Sequence, residues 1–443
     1  MTNTIRALAI ALASSIAATA VNAAPLCPEF ASPDLMPSKY RKLAPVLSGG
    51  LTDWIITDDQ MDLKYVPNDQ SKYLLGEIAK AFEARGTKLA IVMAPPRPLI
   101  AGQEAIDALG NNGDEFKVDA VAASFNEMVS FVQSTGIIMP NLLEVATASE
   151  EVREKFYYRH DTHWTPHGAA RSAVALAEAV AAAELPAFAR ITPSAPDFTS
   201  TTEVLAEEGS LAVMANKVCG ANVPPVETPF PAFDDQQADL LGDGASDKPQ
   251  IILAGSSFSN RYKRDAYRVA DAIASTISAD VTNVSVAGGG AIGGIEGAIL
   301  TGMIDKDNPP ALVVWELPYT EGLGSPSTLR QLLGALQMND DAQMAASRSL
   351  DASGETMIAL ANSDAQLITF KLPNTEIEEI KVRISFEKRK DMNLKLRRKD
   401  HVPAALRSDY WSLSLSGMAK DKPLAAKVTY DAKSLGSGAE FSF

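Results

Sequence analysis

The sequence predicts an α/β domain, with a parallel sheet flanked by helices, followed by a smaller C-terminal β-sandwich. Three observations carry this. Short apolar runs bounded by Gly or Pro alternate with segments of helical spacing through the first three quarters of the chain, which is the grammar of a parallel sheet. From Gln366 onward, short segments alternate apolar and polar residues with period two, as sandwich strands do. The charge also changes sign: residues 364–443 hold 15 Lys/Arg against 11 Asp/Glu, a net of +4, while the remainder is near −19.

From the N-terminus, Arg6 precedes an apolar run over residues 7–20, and Val21-Asn22-Ala23 supplies small residues at the cleavage-determining positions. Residues 1–23 therefore read as a secretory signal peptide. Ala24-Pro25-Leu26 lacks the small residue that a lipidation site wants before its cysteine, Cys27, so a soluble exported protein is expected. Cys27 and Cys219 are the only two cysteines, and in an oxidising compartment such a pair predicts a disulfide. The overall charge of −15 argues against nucleic acid as a partner, because phosphate binding needs a dense cationic surface.

Helical spacing over 73–85 leads into an apolar strand at 88–94 and the loop Pro95-Pro96-Arg97-Pro98. A second helix is expected over 118–134, with a strand at 136–140. Thr165-Pro166 has the form of an N-cap with proline at the first helical position, opening a helix over 167–185. Residues 190–249 read as a long insertion pinned at Cys219. Strands then follow at 249–254, 284–287 and 311–316, with a helix over 262–275 and a Gly288-Gly289-Gly290 turn. Sandwich strands are expected at 367–372, 379–386, 394–396, 410–415 and 427–430. Two domains result, 24–334 and 335–443.

Two stretches carry chemistry. Arg159-His160-Asp161-Thr162-His163-Trp164, with His167 just beyond, gathers three of the four histidines and a carboxylate. Gly255-Ser256-Ser257-Phe258-Ser259 is a tight turn between a strand and a helix, which would project a serine hydroxyl next to backbone N–H groups. Asp161 and His163 suit a carboxylate that orients an imidazole, and Ser257 suits the nucleophile it serves. A metal site built from His160, Asp161, His163 and His167 is a rival reading, and a helix-capping loop with incidental histidines is another.

The Asp-Thr-His-Trp-Thr core, the later Gly-Ser-Ser-Phe-Ser, then Val286-Ala287-Gly288-Gly289-Gly290 and Val314-Trp315-Glu316-Leu317-Pro318 together resemble the SGNH-hydrolase-like alginate O-acetyltransferases of the bacterial periplasm. The likeness is greatest to their two-domain type with a C-terminal carbohydrate-binding module. The resemblance implies Ser257 as acetyl-accepting nucleophile, His163 as general base and acid, Asp161 as its orienting carboxylate, periplasmic location, and neither cofactor nor metal. It departs from the family in lacking any C-terminal cysteine. Oxyanion donors are expected at the backbone N–H groups of Ser257 and Gly289, with a purely structural turn at Gly288–Gly290 as the alternative, and Arg97 and Tyr319, both after strand ends, are candidates to line the cleft or else ordinary loop residues.

For the basic C-terminal domain, Lys395, Arg397, Arg398, Lys399, Arg407 and Trp411 are the candidates to hold a polyuronate, whose sugars each carry a carboxylate. The expected partners are an anionic polysaccharide acceptor, an acetyl donor of unidentified nature, and other proteins of an export complex. An esterase using the same triad and a non-catalytic polysaccharide-binding scaffold remain as alternative functions.

Overall fold

The computed structural model describes residues 25–443 apart from 62–63, 103–104, 107–115, 190–192, 194–203, 230–247, 262–266, 339–346, 352, 362, 434 and 436–437. The signal peptide expected over 1–23 lies outside the described residues. Among those described, no helix is long and apolar enough to cross a membrane.

Strands covered by helices on both faces have no solvent side on which to place polar residues, so they read as continuous apolar runs. Four strands, β1 (Lys88–Met93), β2 (Gln250–Ala254), β3 (Asp280–Asn283) and β4 (Leu312–Leu317), form a parallel sheet in the order β1-β4-β2-β3, and β1, β2 and β4 are of this covered kind. The run at 136–140 makes only an isolated parallel bridge, Ile138 beside Ala90. The strand expected at 284–287 lies earlier, at Asp280–Asn283. As the half-covered sheet edge, β3 tolerates polar residues. The apolar run marks the segment beyond it, where Val284 and Val286 donate to the Leu253 and Gly255 carbonyls.

The helices that pack on this sheet and beside it are α1 (Asp69–Ala84), α2 (Val118–Ser134), α3 (Pro166–Ala182), α4 (Ser210–Cys219), α5 (Val269–Ile277), α6 (Gly293–Leu300) and α7 (Pro326–Gln337). The Thr165 side chain caps α3 by accepting from Gly168 N at 3.1 Å. Within the segment 190–249, where periodicity was too weak to predict elements, α4 and the antiparallel pair Val204–Glu207 with Val226–Pro229 are ordered against the domain. Residues 262–266, the start of the helix expected over 262–275, lie outside the described residues, and α5 begins at Val269.

The C-terminal part is a sandwich of two four-stranded antiparallel sheets. With β5 (Arg348–Ser349), β6 (Glu355–Ala359), β7 (Leu367–Lys371), β8 (Glu379–Phe386), β9 (Met392–Arg397), β10 (Tyr410–Ser414), β11 (Pro423–Thr429) and β12 (Glu440–Ser442), the orders are β6-β11-β8-β9 and β10-β7-β12-β5. Alternate residues of β8 and β9 point inward, so Ile380, Val382, Ile384, Leu394 and Leu396 share one core with Ile368, Phe370, Trp411 and Leu413 of the other sheet.

The boundary expected at 334/335 falls inside α7, which is itself the joint between the two parts. Arg330 donates to the carbonyls of Ser414 and Ser416 at 2.9 and 3.0 Å. Gln331 donates to Glu296 and to Arg397 O and accepts from Arg397 N. Glu296 on α6 faces Arg398 at 3.7 Å, both side chains 1% exposed. Burial pushes the Glu296 carboxyl up, and Arg398 opposes that shift.

The Cys27–Cys219 disulfide forms, across a sequence separation of 192. Thiol titration of denatured, unreduced protein should find no free thiol. Replacing both cysteines by serine should lower stability by as much as about 5 kcal/mol, the loop-closure limit for so long a loop, measured as the shift of a urea melt.

Candidate active site

The end of β2 and the turn after it set the nucleophile. β2 ends at Ala254, and Gly255 lets the turn pass the sheet: a Cβ there would lie 2.4 Å from Glu316 Oε2. Ser257 Oγ then sits 2.7 Å from His163 Nε2. His163 Nδ1 is hydrogen-bonded to Asp161 Oδ1, and the same oxygen accepts from His163 N at 2.9 Å. With the ring proton on Nδ1, the Ser257 hydroxyl donates to Nε2, the arrangement a general base needs. Phe258 and Tyr267 flank the imidazole at 4.7 and 5.6 Å between ring centres, and Trp164 Nε1 donates to Phe258 O at 2.9 Å. The histidine loop and the serine turn are thereby pinned together.

Asp161 is fully buried, and its second oxygen accepts from Ser210 N, the first residue of α4, at 2.6 Å. The helix N-terminus favours the anion there. Gly209, at φ +77°, is needed at that junction, since a Cβ would lie 2.4 Å from His160 O. Burial alone would raise the Asp161 carboxyl, but the His163 charge and hydrogen bond and nearby Arg261 outweigh it and hold the group well below the usual carboxylate range. Arg261 lies 3.6 Å from Asp161 Oδ2 and pairs with Glu207 at 2.5 Å, while its guanidinium also donates to Tyr267 Oη at 2.7 Å.

The oxyanion donors divide. Ser257 N donates to no acceptor among the described residues, whereas Gly289 N is engaged with Val286 O at 3.0 Å. The Gly289 expectation is therefore corrected: its N–H closes the turn instead of facing a substrate.

Arg97 does not line the cleft. It is wholly buried, stacked on Trp54 at 4.8 Å, and donates to Ile55 O, Gln60 Oε1, Tyr158 O and Arg159 O. It clamps the chain that leads into Asp161. Tyr319 is likewise buried, with its ring edge-on to Phe258 and Tyr157. In the C-terminal domain Arg398 and Trp411 are buried and stacked on each other at 4.3 Å, and Arg407 is taken up by Val402 O, Asp400 O, Thr375 O and Glu376. These three hold loops in place. Lys395, Arg397 and Lys399 are exposed, with Arg397 paired to Glu379 at 2.8 Å. Lys399 and His401 lie over the Gly288–Gly290 turn, where a Cβ on Gly288 would meet the His401 ring at 3.0 Å.

No three of His160, Asp161, His163 and His167 bring donor atoms within 4.8 Å of one another; among the described residues only Cys27, Glu29 and Cys219 do, and those thiols are joined as a disulfide. His160 and His167 instead face a separate cavity of about 560 Å³ walled by Tyr157, Tyr158 and the segment from Pro224 to Pro229.

A family model described as SGNH hydrolase-like domain, acetyltransferase AlgX, matches residues 47–319 of the chain. The chain belongs to the AlgX family. Alginate biosynthesis protein AlgX of Azotobacter vinelandii is 28% identical over 318 residues, 70% of this chain and 62% of that one. AlgX of Pseudomonas syringae is 25% identical over 389 residues, 84% of this chain and 78% of that one. The chain thus spans just under two thirds of the Azotobacter relative. The solved structure of Pseudomonas aeruginosa AlgX superposes with a TM-score of 0.69 at 20% identity, covering 94% of this chain and 98% of that one. The AlgX fold accordingly extends through the C-terminal strands, beyond the region matched by the family model.

Replacing Arg97 by alanine should destabilise the protein by about 3 to 5 kcal/mol in urea unfolding, because three buried acceptors and the part-buried Arg159 carbonyl lose their donor at once. A loss below about 1 kcal/mol would mean that the clamp is not structural.

Proposed function

We propose that this protein transfers acetyl groups to hydroxyls of an exported, uronate-rich polysaccharide through an acetyl-Ser257 intermediate. The observation that carries the reading is the continuous Ser257, His163, Asp161 hydrogen-bond line. Membership of the AlgX family, with relatives named alginate biosynthesis proteins, supports a uronate polysaccharide as the substrate class.

In the first half-reaction the Ser257 hydroxyl gives its proton to His163 Nε2 as Oγ attacks the acetyl carbonyl of the donor. The tetrahedral oxyanion is met by Ser257 N–H, and His163 returns the proton to the leaving group. In the second half, a sugar hydroxyl gives its proton to the same nitrogen and attacks acetyl-Ser257, and the proton then passes back to Oγ. Asp161 holds the ring tautomer throughout and stabilises the transient imidazolium.

The acceptor is a polyanion, and the outward face of one C-terminal sheet supports its capture. Lys381 lies directly opposite Lys395, and Arg383 opposite Lys427. Lys381, Arg383 and Lys427 each pair with a carboxylate of the chain, Glu379, Asp391 and Glu355, and such exposed pairs are weak enough for a row of uronate carboxylates to compete for the cations. We assign this face, with Arg397 and Lys399, to polymer binding. The disulfide and the leader-like N-terminus support a periplasmic setting, where further export proteins would supply the donor and the polymer.

Ser257→Ala, His163→Ala and Asp161→Ala should each lower acetyl transfer from a chromogenic acetyl ester to an oligouronate by about 10⁴-fold or more, without additivity in the double variants. Release of acetate with no acetylated oligouronate would replace the transferase by an esterase. Near-normal turnover in Ser257→Ala would remove the mechanism altogether.

Deleting 335–443 would expose the Glu296, Gln331 and Arg330 interface, so polymer binding is better tested with surface charges. Combined Lys381→Ala, Lys395→Ala and Arg397→Ala should weaken long oligouronate binding about 10-fold or more at low salt, with little difference left at high salt. Equal affinity at low salt would move the polymer site to the α/β cleft.

A further inference from the structure

Glu316 is the penultimate residue of β4, a strand on which every residue is buried, and nothing in the acyl-transfer steps above uses it. It is 1% exposed, with no lysine or arginine paired to it among the described residues. Its register neighbour on β1 is Val92, and on β2 Ala254 lies beside Trp315. An acid in such a place needs donors, and it finds them in the nucleophile turn. Ser256 N donates to Oε2 at 2.7 Å, and Ser256 Oγ lies 3.1 Å from both carboxylate oxygens.

The Ser256 hydroxyl in turn accepts from Phe258 N at 3.1 Å, and Ser256 O accepts from Ser259 N and Asn260 N at 3.1 Å each. Of the five successive amides from Ser256 to Asn260, four are thus engaged, two of them directly on Glu316 or through the one hydroxyl it holds. The amide left over is that of Ser257, beside the nucleophilic oxygen.

We propose that Glu316 is a positioning residue of the acyl-transfer centre: through Ser256 it fixes the amides on either side of Ser257, so that the Ser257 hydroxyl stays on His163 and its N–H stays aimed at the developing oxyanion. The inference rests on the Ser257 reading above. Donors held in advance of reaction are what oxyanion stabilisation requires, and small displacements of such a turn reduce turnover far more than binding.

The environment gives the residue a signature of its own. Burial pushes the Glu316 carboxyl up to about 7, opposed by the Ser256 hydrogen bonds and by His163. The titratable groups that face it are His163, from the loop before α3, and the buried phenol of Tyr157. As pH rises through about 7 the carboxylate ionises, strengthening its hold on Ser256 and favouring the imidazolium formed during attack. The folded state binds this proton more tightly than the unfolded chain does, so the stability it confers is complete below about pH 4.5 and is lost between there and about pH 7.

The test is steady-state hydrolysis of a small acetyl ester by the full chain from pH 5.5 to 9. Glu316→Gln should lower kcat about 10- to 100-fold with KM within about twofold, and should remove from the pH profile the component near pH 7 expected of the Glu316 carboxyl. Its stability relative to wild type should increase from pH 4.5 to 7. Glu316→Asp, which restores a charge on a shorter arm, should bring the pH step back while recovering only part of kcat. Ser256→Ala removes the hydroxyl link with no change in the buried acid, and should also lower kcat at constant KM, which keeps the test decisive if the Gln variant folds poorly. Unchanged kcat and pH profile in Glu316→Gln or Ser256→Ala would overturn the inference. Ser257→Ala distinguishes the levels: if it abolishes turnover while the Glu316 and Ser256 variants are normal, only this inference falls, whereas turnover surviving in Ser257→Ala removes the acyl-serine reading and this inference with it.

Discussion

A fully buried, ionised carboxylate survives only where donors converge on it, and the need to supply donors to Asp161 organises much of this molecule. His163 comes from the same loop, Ser210 N from the start of α4, and the Arg261 guanidinium from the segment after the nucleophile turn. Each donor lies on a different element, so the acid can be satisfied only when all of them are in place. The charged Arg97 clamp belongs to the same requirement, since it ties down the carbonyls of Tyr158 and Arg159 directly before the loop turns inward.

Much of the fold was legible because its periodicities are strong. Four to six apolar residues in a row at β1, β2 and β4 have no reading but a covered strand once Gly or Pro bounds them, and Thr165-Pro166 announces α3. The weaker β3 was displaced by four residues because an edge strand does not need an apolar run. Helix α4 was missed: it lies in a segment rich in Pro, Ser, Thr and acids, and its role comes from tertiary contact. The triad itself was readable since Asp161 and His163 are local and Ser257 sits in a recognisable turn. Glu316, Arg261, Glu207 and Ser210 were not, because each is a single ordinary residue whose meaning depends on which strand lies beside which.

The C-terminal candidates show why composition and position answer different questions. Net charge counts Arg398 with Lys395 and Arg397, yet strand parity separates them. Arg398 continues the inward series Leu394, Leu396, while Arg397 and Lys399 continue the outward one. Trp411, an apparent sugar platform, is on the inward side of β10, packed under Arg398. What remains on the outside, Lys381 across from Lys395 and Arg383 across from Lys427, emerges only from the register of β8 with its two neighbours.

Helix α4 is held at both ends, by the disulfide at Cys219 and by the Asp161 carboxylate at Ser210. At about 1.5 Å per residue its ten residues make a strut of about 15 Å between a surface bond and the triad. With the thiols reduced, the strut would lack its far anchor. Under the proposed acyl-transfer function, the disulfide would then couple oxidation of the chain to the firmness with which Ser210 holds the Asp161 carboxylate.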